Sequence, residues 1–269
     1  MAKPIIAMLT DFGTRDHYAG SLKGVILSLC PDATLVDISH DIPPHDILTG
    51  ALELASCFRY FPAGTIFLAV VDPGVGSARL GLAAEAGDYR FVAPDNGVLT
   101  AVFAETAPKR VVSITERRYA RPTISKTFEG RDRFAPAAAW LARGAEVKAL
   151  GSAVRDYVRL EIPQPHLEAD RILGAVLRVD RFGNLVTNIS RAMVERLASR
   201  GPIRITAGGA SVESLVETYA GVPGGAICAL FGSSDHLEIA ENGGHAARRL
   251  GLAAGAAVEV VRPSDAVLG

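Results

Sequence analysis

Along the first 160 residues, short runs of apolar positions alternate with longer stretches of helical spacing. PIIAML (4–9) and TIFLAVVD (65–72) are nearly continuous apolar runs, the pattern of strands buried on both faces. TLVDIS (34–39), LGLAAEA (80–86), YRFVAPD (89–95) and RVVSIT (110–115) predict further strands. Between them, HYAGSLKGVILSLCP (17–31) and ILTGALELASCFRYFP (47–62) carry helical periodicity, and each stops at a proline. APAAAWLARG (135–144) predicts a helix with glycine at its C-terminal stop. Alternation of this kind implies an α/β fold, a mostly parallel sheet with helices on both faces.

The pattern changes near residue 160. EIPQPHLEAD (161–170) is a proline-containing polar link. After it come short β-like runs: ILGAVLRVD, LVTNIS, IRITAGG, GAICALFGS, HLEIAEN and AAVEVVRP, with brief helical pieces between them. These predict a smaller all-β, barrel-like domain. The expected organisation is an N-terminal α/β domain over 1–160 and a C-terminal β domain over 161–269.

Composition narrows the function classes. With 28 basic against 29 acidic residues and a net charge of −1, the chain has no electrostatic footprint for nucleic acid or an anionic membrane. No apolar run approaches the roughly 18 residues of a membrane-spanning helix, and the first apolar run is too short for a signal-peptide core. Cys30, Cys57 and Cys228 are far apart and odd in number, as expected of reduced thiols in a cytoplasmic protein. DISHDIPPHD (37–46) sets two histidines beside acids, but its Pro-Pro prevents helical presentation of a ligand pair, so no metal site is expected.

Three acid-bearing turns follow predicted strands: TDFGTRD (10–16), VDPGVGS (71–77) and APDNGVLT (93–100). Ligands of open α/β sheets bind outside the carboxyl ends of the strands, where such turns lie. Asp11 could accept hydrogen bonds from ribose hydroxyls, and Asp16 is placed to start the next helix. Asp72 could act in a site, or Arg79 could pair with it as a surface ion pair. No G-x-G-x-x-G or Walker lysine accompanies these turns, which argues against NAD and ATP-phosphate binding. In the β region, DRFGNLVTNIS (180–190) offers Phe182 to stack on a flat ring and Asn184 to bond its edge, or else forms a plain hairpin turn.

Taken in order, LTDFGTRDHYAGSLKG, DISHDIPPHDI, VVDPGVGSAR, FVAPDNGVLT, TFEGRDRFAPAAA, DRFGNLVTNI and SSDHLEIAENGG resemble the S-adenosylmethionine (SAM) hydrolase family. These enzymes, also called SAM hydroxide adenosyltransferases, are related to fluorinase and chlorinase. The resemblance implies attack of water on ribose C5′ of SAM, giving adenosine and methionine without a cofactor. It also implies a homotrimer, with SAM bound where one subunit's N-terminal domain meets a neighbour's C-terminal domain. It places Asp72, Arg79 and Glu129 in the catalytic water site and Asp11 on the ribose. Phe182, Asn184, Phe231, Asn242 and Gly243 fall in the adenine pocket, and Asp180 and Ser233 at the methionine end. Asp16 and Asn96 complete the substrate-binding set. One residue departs from the pattern: the hydrolases carry histidine where this chain has Glu129. A halogenase-like or lyase-type SAM-cleaving enzyme, and a SAM- or adenosine-binding protein without turnover, stay open as alternatives.

Overall fold

The computed structural model describes residues 3–263. The ends of the domain ranges expected above, 1–2 and 264–269, lie outside the described residues. The chain divides into two compact units between Ile162 and Pro163.

Unit 1 contains β1 (Ile5–Thr10), α1 (Tyr18–Leu29), β2 (Thr34–Ser39), α2 (Ile47–Cys57), β3 (Ile66–Val70), β4 (Gly81–Ala86), β5 (Tyr89–Pro94), α3 (Thr100–Glu105), β6 (Pro108–Ser113) and α4 (Ala135–Ala142). Its sheet runs β2-β1-β3-β5-β4-β6. β2, β1, β3 and β5 are mutually parallel, and β4 pairs antiparallel with both β5 and β6. The β4–β5 hairpin turns through Gly87–Asp88, with Gly87 at a positive φ of 57°. Alternate residues of each central strand serve opposite faces. Ile6, Met8, Ile66 and Leu68 pack with α1 and α4, whereas Ala7, Leu9, Phe67 and Ala69 pack with α2 and α3. Every side chain of β3 is buried, as its unbroken apolar run requires.

Helix α2 ends five residues before Pro62, short of the expected stop, and continues only as a 3₁₀ turn over Phe58–Tyr60. A residue preceding proline is pushed out of the helical region, and Phe61 is extended at φ −88°, ψ 152°. The helix expected over 135–144 spans Ala135–Ala142, with Gly144 at φ 95° just beyond it. A five-residue π-turn, Gly130–Phe134, precedes it, a feature that the sequence pattern did not predict.

Unit 2 contains β7 (His166–Leu167), β8 (Arg171–Val179), β9 (Leu185–Ser190), α5 (Arg191–Ala198), β10 (Arg204–Ala207), β11 (Ala210–Val212), β12 (Ile227–Phe231), β13 (His236–Glu241), α6 (Ala246–Leu250) and β14 (Ala257–Val261). The strand order is β11-β10-β14-β8-β9-β13-β12, antiparallel throughout, with β7 on β8. Just past β11, Leu215 bridges Ala229 of β12, so the two ends of the sheet approach and nearly close a barrel. Ile172, Val176, Leu185, Ile189, Leu237 and Val258 fill its core. Among the described residues, no helix is long and apolar enough to cross a membrane.

Candidate active site

The parallel register of unit 1 brings its first two acid-bearing turns together. Thr10, the last residue of β1, pairs with Val70, the last of β3, so Asp11 and Asp72 leave the sheet side by side at its carboxyl edge. A pocket of about 260 Å³ opens there, lined by Asp11, Phe12, Tyr18, His45, Asp72, Phe128 and Glu129 among others. The rings of Phe12, Tyr18 and Phe128 pack on one another at 5.1–5.9 Å and form an aromatic wall.

The turn after Asp72 carries Arg79 back to it. Val75 N donates to Asp72 O at 3.2 Å and Ser77 N to Gly74 O at 3.1 Å. Gly76, at φ 77°, lies so close to the chain opposite that an added Cβ would sit 2.2 Å from Lys126 O. The close approach brings the 126–129 segment against this turn. Arg79 Nε donates to Asp72 Oδ1 at 2.7 Å, and its Nη2 donates both to Asp72 Oδ2 and, at 2.6 Å, to Glu129 Oε2. The guanidinium also lies 5.1 Å from the Phe134 ring centre. The side chains of Asp72, Arg79 and Glu129 are only 3%, 9% and 10% accessible. Of the two readings open for Asp72 and Arg79, a site or a surface ion pair, the surface pairing is excluded: the pair is buried, and Glu129 is its third member.

Asp72 is held above the ordinary carboxylate pKa. Burial is the main cause, the Arg79 fork opposes it, and the charge of Glu129 adds to the rise. Glu129 stands at the head of the π-turn, which Asp132 fastens from behind. Asp132 is 1% exposed and accepts from Ser125 N at 2.9 Å and from Arg131 Nε at 2.7 Å. Burial works to raise its pKa, but the bonds from Arg131 and Ser125 outweigh it and hold Asp132 below its usual range. A second cation, Arg133, places Nη2 3.4 Å from Glu129 Oε1.

Not every expected site residue gathers here. Asp11 does, its Oδ2 accepting from His45 N at 2.9 Å. Asp16 is exposed and outside the pocket, and it does not cap α1, whose N-terminal flank is His17 with no side-chain cap. In the third acid-bearing turn, Asp95 Oδ1 accepts from Val158 N at 2.8 Å and the Asn96 amide donates to Val71 O at 2.7 Å, and neither residue lines this pocket. Of the two tempting histidines, His40 is buried between Thr10 Oγ1 at 2.8 Å and Asp37 Oδ1 at 3.0 Å. Among the described residues, no group of three or more His, Cys, Asp or Glu is placed to hold a metal.

Unit 2 has its own pocket of about 540 Å³, lined by Phe182, Asn184, Tyr219, Glu241, Gly243 and Gly244. Asp180 shapes the 180–184 turn by accepting from Phe182 N at 2.9 Å, Asn184 N at 2.8 Å and the Asn184 amide at 2.9 Å. This leaves the Phe182 side of the turn outward, with the residue 75% exposed. Phe231, Ser233 and Asn242 do not line this pocket. Arg191 lies over Phe231 at 4.4 Å, Ser233 is exposed, and the Asn242 amide donates to Val222 O at 2.7 Å.

Sequence reasoning missed the aromatic wall and Tyr219. Phe12 and Phe128 each adjoin a residue that was singled out, which was the available signal. Tyr219 sits in a loop without periodicity, and its hydroxyl lies 3.4 Å from the buried carboxylate of Glu238. Burial and then the charge of Asp180 hold that carboxyl above its ordinary pKa, against the opposing Tyr219 bond.

Comparison with known proteins bears on both domains. The SAM hydroxide adenosyltransferase N-terminal domain matches residues 6–151, and the C-terminal domain of the same family matches 174–259. An (R)-S-adenosyl-L-methionine hydrolase of Salinispora tropica is 39% identical over 94% of this chain and 95% of its own length. One from Thermus thermophilus is 37% identical over 95% of this chain and 99% of its own length. The crystal structure of an uncharacterized conserved protein from Thermotoga maritima superposes with a TM-score of 0.90 at 34% identity, covering 96% of this chain and 100% of that one. Both domain models match, relatives are covered almost in full and the fold superposes, and the chain belongs to the SAM hydroxide adenosyltransferase family.

Proposed function

We propose that this protein hydrolyses S-adenosyl-L-methionine to adenosine and L-methionine. The observation that carries the reading is the buried Asp72–Arg79–Glu129 cluster in the pocket that Asp11 also lines, at the carboxyl edge of the sheet. Relatives that bear the hydrolase name at 37–39% identity over nearly the whole chain support it.

In the proposed reaction the oxygen of a water molecule bonds to C5′ as the C5′–S bond breaks. The electron pair of that bond passes to sulfur, so a sulfonium leaves as neutral methionine. Such a leaving group needs no acid, and the reaction calls for no cofactor. The protein must hold water in line, about 3–3.5 Å from C5′, and accept its proton. Asp72 is the acceptor in this reading. Its raised pKa suits a base whose conjugate acid lies closer to the working pH. Arg79 stabilises negative charge developing on the water oxygen. Glu129, at the position where the family resemblance implies histidine, orients the water through the same guanidinium. Asp11 accepts from the ribose hydroxyls, and the aromatic wall excludes bulk water. Halide is a poor alternative nucleophile here, because Asp72 places a carboxylate where the halide would have to lie.

We further propose a cytoplasmic homotrimer in which the unit 1 pocket of one subunit receives SAM together with the unit 2 pocket of a neighbour. The unit 1 pocket falls below the roughly 300–1,000 Å³ usual for small-molecule sites. Phe182, 75% exposed on the rim of the other pocket, is free to stack on adenine. The free thiols support a reducing compartment; burial, with the charge of Glu53, pushes Cys57 up to about 11 and leaves it unreactive.

The test is release of adenosine and methionine in equal amounts, many per subunit, in oxygen-18 water. The label is expected in the 5′-hydroxyl of adenosine. Binding of SAM without release would overturn the hydrolase reading, and an unsaturated nucleoside product would replace it with elimination.

A further inference from the structure

Two carboxylates around Arg79 leave an excess of one negative charge in the water site. Asp72 and Glu129 are 3% and 10% accessible, so little solvent is available to disperse it. Arg79 cannot serve both alone: its Nε and Nη2 grip Asp72, and the same Nη2 is shared with one oxygen of Glu129. The other oxygen of Glu129 faces Arg133 Nη2 at 3.4 Å.

Two features place Arg133 there, and a third shows that its burial is held at a cost. It lies within the π-turn, one residue before Phe134, whose ring lies under Arg79, so the backbone that carries it is tied to the site. Phe134 is itself held: it is fully buried, and an added Cβ on Gly81 would meet its ring at 2.5 Å. Finally, Arg133 Nε is buried without a hydrogen-bond partner. An unsatisfied buried donor is unfavourable, and contact with Glu129 offsets that cost. Histidine, the residue that the family resemblance places at 129, would need no such partner when neutral, because Asp72 and Arg79 already balance.

We propose that Arg133 is a positioning residue that makes a carboxylate workable at position 129: it fixes Oε1, leaves Oε2 for Arg79, and returns the four-residue cluster to zero net charge. The proposal rests on the hydrolase reading above. A site with an uncompensated negative charge would hold the SAM sulfonium more tightly in the ground state without favouring the departure of neutral methionine. Arg133 therefore weakens substrate binding and raises turnover, a pair of effects that general damage to the fold would not mimic.

The experiment is a double-mutant cycle of R133Q with E129H, with R133K as the conservative variant, reading kcat, KM and melting temperature for each. R133Q alone is expected to lower kcat about tenfold, equivalent to about 1.4 kcal/mol, and to lower KM as well. R133K should recover most of the loss. In the E129H background the effect of R133Q on kcat should shrink to within about twofold, the additivity limit for uncoupled positions. An equal loss in both backgrounds, or a higher KM in R133Q, would overturn the proposal. If the parent protein releases no adenosine, the hydrolase reading fails on its own. The melting-temperature arm still reads the Glu129–Arg133 coupling in that case, and zero coupling there rejects Arg133 as the partner of Glu129.

Discussion

Replacing Arg79 with lysine tests the water site without removing its charge. The guanidinium makes three bonds to two carboxylates: Nε to Asp72 Oδ1 at 2.7 Å, Nη2 to Asp72 Oδ2, and Nη2 to Glu129 Oε2 at 2.6 Å. An ammonium has no planar fork and can serve one of these in good geometry. The two lost bonds are charge-assisted, and side chains that are 10% accessible or less admit little water to replace them. At about 1.5 kcal/mol each, the low end for bonds to charged groups, the loss is about 3 kcal/mol, or roughly 150-fold in kcat/KM. Removing the fork also removes the main influence that opposes the upward shift of Asp72. Asp72 then stays protonated to higher pH, so the R79K rate is expected to climb with pH where the parent has levelled off. Initial rates of adenosine release, measured by chromatography over a range of SAM concentrations and pH values, give both quantities, and a thermal melt checks folding. A variant within about threefold of the parent, with the same pH profile, would refute a role for the fork, since that is under 1 kcal/mol.

Three other outcomes follow from the same geometry. Glu129→Gln should keep SAM affinity within roughly tenfold, about 1.4 kcal/mol, yet alter the pH dependence of turnover, while Glu129→His should be active; an unchanged profile in Glu129→Ala would remove this residue from the site. Gly76→Ala should destabilise unit 1 by at least about 2 kcal/mol, because it combines a positive φ with a Cβ 2.2 Å from Lys126 O, and denaturant unfolding would measure this directly. Mixing inactive Asp72→Ala chains with inactive Asn184→Ala chains should restore part of the activity if pockets of different subunits act together; no recovery after verified subunit exchange would argue against shared sites.

Much of the fold was legible because burial on both faces leaves a plain mark. β1 and β3 are apolar runs between turn residues, and β2 falls on the predicted residues Thr34–Ser39. Elements governed by local hydrogen bonding were harder to read. The three-residue β11 is too short to show a period, and the π-turn depends on Asp132 being fastened by Ser125 and Arg131, contacts that spacing does not encode. The site divides in the same way. Asp11 and Asp72 were legible because parallel strands end together, and Arg79 because a glycine-containing turn could return it. Asp95 and Asn96 look alike in sequence, yet they fasten Val158 and Val71 instead. A strand-end acid marks the edge where a ligand can bind, but its neighbours decide whether its oxygens are free.

The π-turn also bears on how this site can change over evolutionary time. Ala135 N reaches back five residues to Gly130 O, so the turn holds one residue more than an α-helical turn would. Deleting that residue would swing everything before it by about 100° around the helix, and Glu129 would turn away from Arg79. Exchanging the side chain at 129 leaves the backbone path alone. Position 129 is thus permissive toward point substitution, while the segment around it is intolerant of insertion or deletion. Within this loop, new chemistry is more accessible through changes of residue type at constant length than through changes of length.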